Sequence, residues 1–128
     1  MTTTPMTLTD AHSLAMTCLT ANGLDGANAK AVADRMIEAE ADKCYSHGLF
    51  RLPWYVGGVK SGRVNGTAKP KISQLAPAVV KVDGDNGYAP LGQKQGHQPL
   101  VDCARKNGIA ALAFTNMYHI AAMWPEVE

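Results

Sequence analysis

Two short apolar runs, at 78–83 and 109–114, constrain this chain more than any other feature. Ala78-Val79-Val80-Lys81-Val82-Asp83 is rich in β-branched residues and reads as a strand. Ile109 to Phe114 is continuously apolar, the mark of a buried strand. Between them, 90–107 reads as a helix, a weak one because it holds Gly92, Gly96 and Pro99, and Asn107-Gly108 ends it. Strand–helix–strand order implies an α/β layer. Two strands do not make an independently stable sheet. Either further strands escape the pattern, or other sequence completes the sheet.

The first half of the chain is helical in pattern. Residues 1–6 are polar and expected to fray. Thr9 or Asp10 is placed to cap a helix from near Ala11, with Leu14, Cys18 and Leu19 inward and Gly23 as its stop. Asp25 is a second N-cap, for a helix over 27–42. There Ala29, Val32, Met36, Ala39 and Lys43 trace one face, with Ala33, Ile37 and Glu40 beside it. Ser46-His47-Gly48 interrupts the pattern, and Gly48 marks a break or a close backbone approach. Pro53 suits the first turn of a third helix, weakened at its far end by Gly57, Gly58 and Gly62. Residues 63–71 read as loop, 83–87 as a turn cluster, 115–119 as loop and 120–124 as a short apolar stretch before Pro125. The expected class is α/β (α+β), with a helical region over 1–62 and a strand–helix–strand region over 63–128.

Composition narrows the function classes. The 128 residues suffice for one domain with a modest core. A net charge of +1 gives no broad footprint for nucleic acid. No segment reaches the roughly 18–20 apolar residues of a membrane span. The start, MTTTPMTLTD, lacks the basic and apolar regions of a secretory signal. Cys18, Cys44 and Cys103 are widely spaced and form no CxxC pair, so no metal site or disulfide framework is expected. Free thiols point to a reducing, cytoplasmic setting.

Two constellations carry possible chemistry. The first is Ser46, His47 and Gly48 with Arg51 and Tyr55. Histidine donates a proton near neutral pH, and a neighbouring hydroxyl orients it. Arginine binds a carboxylate through two parallel hydrogen bonds. If the segment is helical, His47 and Arg51 project from one face. The residues alone equally allow a helix-breaking Ser-His-Gly with a structural histidine. The second is Asn116-Met117-Tyr118-His119, just past the second apolar run. Ligands of open α/β sheets gather at such strand ends, although a structural histidine and a turn asparagine fit there too. His12 and His97 read as surface residues, and the acidic residues of 34–42 as a solvated face. Gly84-Asp85-Asn86-Gly87 does not have dinucleotide-fingerprint spacing.

Three ordered motifs add a resemblance that covers nearly the whole chain. They are SHGLFRLPWYVGGVKSGRVN, KVDGDNGYA and NMYHIAAMWPEVE. Together they resemble the malate/L-lactate dehydrogenase family of non-Rossmann NAD(P)-dependent reductases. The ending is closest to its Δ1-piperideine-2-carboxylate/Δ1-pyrroline-2-carboxylate reductase branch. The resemblance implies a reduction by NADPH or NADH of a C=N or C=O bond beside a carboxylate, on a dimeric unit. It implies His47 as general acid, Ser46 in its hydrogen-bonded relay, and Arg51 with Tyr55 on the small carboxylate-bearing substrate. It implies Thr115, Asn116, Met117, Tyr118 and His119 on the cofactor. His119 matches a histidine that serves as the proton donor in some branches, so either histidine stands as the acid. The branch has paired histidines where this chain has Tyr118-His119. Family members are well over twice as long, so 63–128 is expected to be part of an incomplete cofactor-binding domain. The expected role is one subunit of a split enzyme, a hetero-oligomer whose second polypeptide carries the rest. An inactive folded fragment and a non-catalytic interaction module are the rival readings.

Overall fold

The computed structural model describes residues 4–119, so the apolar stretch 120–124 and the WPEVE ending lie outside the described residues. Thr7, rather than Thr9 or Asp10, caps α1 (Leu8–Ala21). Its hydroxyl oxygen accepts from the Asp10 amide at 3.1 Å and donates to the Asp10 carboxylate at 2.6 Å. Asp10 therefore lies in the first turn, three residues past the cap, rather than at the cap itself. The inward face of α1 is Ala11, Ala15 and Leu19, while Leu14 is exposed. Alanine at 11 and 15 leaves α1 a small-residue face toward α2 (Gly26–Ala41), whose Ala29 and Ala33 are fully buried.

Asp25 caps α2 as its position predicts, accepting from the Asn28 amide at 2.9 Å. That backbone bond, chiefly, holds the Asp25 carboxyl below its ordinary value. A lowered folded pKa stabilises the fold above the unfolded carboxylate range, and the effect is lost as pH falls through the folded value. Asp25→Ala is expected to cost about 0.5–2 kcal/mol at neutral pH. Urea melts of parent and variant should converge when repeated below the carboxylate range; a constant difference would remove the cap as the cause.

Lys43 adopts a left-handed φ of 58° just past α2, and Lys43 is exposed rather than part of the buried face. Two separate 3₁₀ turns follow, Tyr45–His47 and Leu49–Arg51, so His47 and Arg51 do not share an α-helical face. Gly48 joins them. It is both a break and a close approach, because a Cβ there would strike the Glu40 carboxylate. That carboxylate accepts from the Leu49 amide at 2.7 Å. Then α3 (Leu52–Lys60) begins, with Pro53 in its first turn. The core formed here joins Leu19, Val32, Met36, Tyr55, Val64 and Tyr88.

The second half holds a strand that the pattern concealed. β1 (Lys71–Ala76) pairs antiparallel with β2 (Val79–Tyr88), and β2 pairs parallel with β3 (Ala111–Tyr118) after α4 (Ala89–Asn107). The mixed sheet has order β1-β2-β3. All six β1 residues are exposed, so no alternation marks the strand. The cluster 83–87 is not a terminating turn. Asp85 and Asn86, at φ 50° and 56°, form a left-handed irregularity, and pairing with β3 resumes at Gly87 and Tyr88. Asp and Asn tolerate this conformation better than most residues. Thr115 to Tyr118 belongs to β3 rather than to a loop. β3 starts two residues later than the apolar run and is only half-buried, while Ile109 is 76% exposed.

The glycines that weaken α4 as a helix let it seat on the sheet. A Cβ on Gly96 would stand 2.9 Å from a Val82 methyl and 3.0 Å from one of Leu112. Valine at 96 gains at most about 1 kcal/mol of helix propensity. Overpacking costs about 1–3 kcal/mol, so Gly96→Val is expected to lower the urea midpoint. An unchanged or raised midpoint would show that the contact yields freely.

Candidate functional site

Arg51 closes the second 3₁₀ turn, and α3 starts at the next residue. Its Nε donates to the Ser46 carbonyl at 2.8 Å, and the guanidinium lies over the Trp54 ring at 5.1 Å. These two contacts aim the group and leave its terminal nitrogens for a ligand. One turn back, Ser46 Oγ and His47 Nδ1 are 3.0 Å apart, and Cys44 Sγ is 3.5 Å from the same nitrogen.

Tyr55 is 2% exposed and meets the Tyr88 ring edge-on at 4.7 Å. The Tyr88 hydroxyl donates to the Tyr55 carbonyl at 2.7 Å. Residue 58 must be glycine for this, since a Cβ there would strike that hydroxyl. Tyr88 and Tyr118 pair at the carboxyl ends of β2 and β3, with rings 6.1 Å apart. His119 follows at a left-handed φ of 50°, its ring 6.1 Å from that of Tyr55.

These elements enclose a cleft of about 620 Å³. Arg51, Trp54, Tyr55, Arg63, Tyr118 and His119 line it, with Tyr88, Ser61 and two glycines completing the wall. The volume is in the range of small-molecule sites. Among the described residues no carboxylate lines it, so the fixed charge of that lining is positive. Partial burial first, then the positive Arg51 and His47, hold the His119 imidazole below its ordinary value. Burial pushes the Tyr55 phenol up to about 12 and that of Tyr88 upward as well, so both remain hydrogen-bond donors at neutral pH. The Tyr55 hydroxyl is buried and has no hydrogen-bond partner among the described residues. Such a group costs about 1–3 kcal/mol until an acceptor reaches it.

Of the residues singled out in sequence, Arg51, Tyr55, Tyr118 and His119 line this cleft. Ser46 and His47 stand beside it, joined through the Arg51–Ser46 bond. Thr115, Asn116 and Met117 lie on β3 and do not line this cleft. The Thr115 hydroxyl is buried, Asn116 donates to Asp83 at 3.1 Å, and Met117 packs over Gly84. Trp54, Arg63 and Tyr88 went unnoticed. Trp54 lies three residues beyond Arg51, a spacing that was readable. Tyr88 was hidden by the apparent turn before it, and nothing local marks Arg63. His12 pairs with Asp34 at 2.9 Å and His97 is exposed on α4; neither lines the cleft.

Among the described residues no group of three or more His, Cys, Asp or Glu is placed to hold a metal ion, and no helix is long and apolar enough to cross a membrane.

The family profile described as malate/L-lactate dehydrogenase matches residues 6–128. The chain is 42% identical over 123 residues to a Δ1-pyrroline-2-carboxylate reductase of Ancylobacter novellus, covering 96% of this chain and 36% of that protein. It is 39% identical to Δ1-pyrroline-2-carboxylate reductase 1 of Burkholderia ambifaria, with the same coverage. Its fold superposes with a TM-score of 0.91 on the crystal structure of Δ1-piperideine-2-carboxylate reductase from Pseudomonas syringae pv. tomato. That match has 33% identity and covers 98% of this chain and 38% of the other. The chain thus spans little more than a third of the length of these relatives.

Proposed function

The chain belongs to the malate/L-lactate dehydrogenase family, and from that premise we propose that it forms the carboxylate-binding and proton-donating part of an NAD(P)H-dependent reductase. The substrate class is a C=N or C=O bond beside a carboxylate, foremost a cyclic imino acid such as Δ1-pyrroline-2-carboxylate. One observation carries this reading. Arg51, Tyr55 and His119 converge on one aromatic-walled, positively charged cleft in a chain whose relatives include reductases of that imine.

The residues present suit a flat, anionic ligand. Arg51 offers its terminal nitrogens to the carboxylate. The buried Tyr55 hydroxyl, which lacks an acceptor among the described residues, donates to the same ligand. When bound, the reduced nicotinamide supplies the hydride that the imine carbon receives. The imine nitrogen takes its proton from the protein, and we assign that proton to His47. The Ser46 hydroxyl, 3.0 Å from Nδ1, holds the His47 ring in place. His119 is the poorer donor, because partial burial and the nearby Arg51 disfavour its charged form. Its role is to wall the cleft and accept hydrogen bonds.

We propose further that the remainder of the active site lies in the part of the relatives' length that this chain does not match, and that a second polypeptide supplies it. Two observations support this. The chain spans 36% of a relative's length. The edge of β3 away from β2 has no strand partner among the described residues, and sheet edges need covering. Hydride transfer depends on positioning a dinucleotide. Gentle purification from the native source followed by denaturing mass spectrometry tests the reading. A larger second chain beside the 13.6 kDa species is expected. A lone 13.6 kDa species with full reductase activity would overturn it.

A further inference from the structure

We infer that Arg63 is a second anion-reading residue, so that the cleft holds two oxyanion groups at once, one of them the carboxylate on Arg51. The inference rests on the reading above, in which Arg51 takes a carboxylate. Both guanidiniums line the same cleft, and among the described residues no acidic side chain lines it to balance them. One carboxylate on Arg51 would leave the second positive charge uncompensated. Arg63 makes no ion pair among the described residues.

The backbone beneath Arg63 is held more firmly than an ordinary exposed arginine requires. Its carbonyl accepts from Asn86 Nδ2 at 2.9 Å. The next residue, Val64, is 4% exposed and its amide donates to the Gly58 carbonyl at 3.3 Å. The Asn65 amide then donates to the Asn86 carbonyl at 2.9 Å. Asn86 sits in the left-handed irregularity of β2, so this feature of the strand anchors the arginine at the cleft mouth. A cleft lined by one sign of charge also gathers anions and speeds their capture.

The second oxyanion has two possible sources with one chemistry: a distal carboxylate on the substrate, or a phosphate of the cofactor. Trp54 lines the cleft and reports its occupancy. The full chain carrying Trp124→Phe leaves Trp54 as its only tryptophan, and its fluorescence can be titrated with propionate, succinate, glutarate and inorganic pyrophosphate. A dianion is expected to bind at least about tenfold tighter than propionate. Arg63→Ala should erase that advantage while leaving propionate affinity within about twofold, and Arg51→Ala should weaken every ligand. An Arg63-dependent gain for succinate or glutarate assigns the distal carboxylate; a gain for pyrophosphate alone assigns the phosphate. Propionate binding that depends on Arg51, with no dianion gain lost in Arg63→Ala, overturns the Arg63 inference alone. Carboxylate binding indifferent to Arg51→Ala overturns both readings.

Discussion

Replacing His47 by alanine is expected to lower kcat of the assembled reductase by about 10²–10⁴-fold, the usual contribution of a positioned general acid. KM should change little, because the ground-state imino acid is held elsewhere. The parallel variant His119→Ala should lose less than about tenfold, since partial burial and Arg51 disfavour the charged form of the group it removes. Steady-state rates across pH separate the two roles. A general acid acts in its protonated form, so the fall in rate toward alkaline pH should disappear with His47 and survive the loss of His119. A larger rate loss in His119→Ala would reverse the assignment and make the cleft-lining histidine the donor. NMR titration of the His119 ring provides a check without turnover, because its pKa is expected below that of an ordinary histidine.

Arg51→Ala is expected to raise KM for the imino acid by about 10- to 150-fold. That range converts the roughly 1.5–3 kcal/mol of hydrogen bonding to a charged group. kcat should fall less, since Arg51 grips the carboxylate and not the bond being reduced. Lysine should restore only part of the affinity. It keeps the charge but not the planar fork, and it cannot reproduce both the Ser46 bond and the stacking on Trp54. Kinetic constants for Arg51→Ala close to those of the parent would remove Arg51 from the carboxylate site.

Where local chemistry decides structure, it was readable in the sequence. Asp25 caps α2 because a carboxylate precedes a run of good helix formers. Val80 and Val82 announce β2 because both are buried and alternate with Lys81 and Asp83. β1 was not readable, since six exposed residues on an edge carry no periodicity. The Asp-Gly-Asp-Asn-Gly segment has the composition of a turn, yet its left-handed residues only interrupt the pairing of β2. Missing that continuation also hid Tyr88, which reaches the cleft at the resumed end of the strand. The proximity of Arg51 and Tyr55 follows from local spacing. The meeting of α3 with Tyr118 and His119 is tertiary, fixed by the parallel register of β2 and β3. No short-range pattern contains it.

We propose that this chain provides the substrate-carboxylate and proton-donor groups of a reductase completed by a second polypeptide. It is tested most directly by reconstitution. The purified chain, a polypeptide carrying the remaining family sequence, and their mixture are each given Δ1-pyrroline-2-carboxylate and NADPH or NADH, and loss of the reduced cofactor is followed. Turnover is expected in the mixture alone, and it should fall by about 10²–10⁴-fold when the chain carries His47→Ala. Full turnover by this chain without the second polypeptide, or none in the mixture with either cofactor, would contradict it.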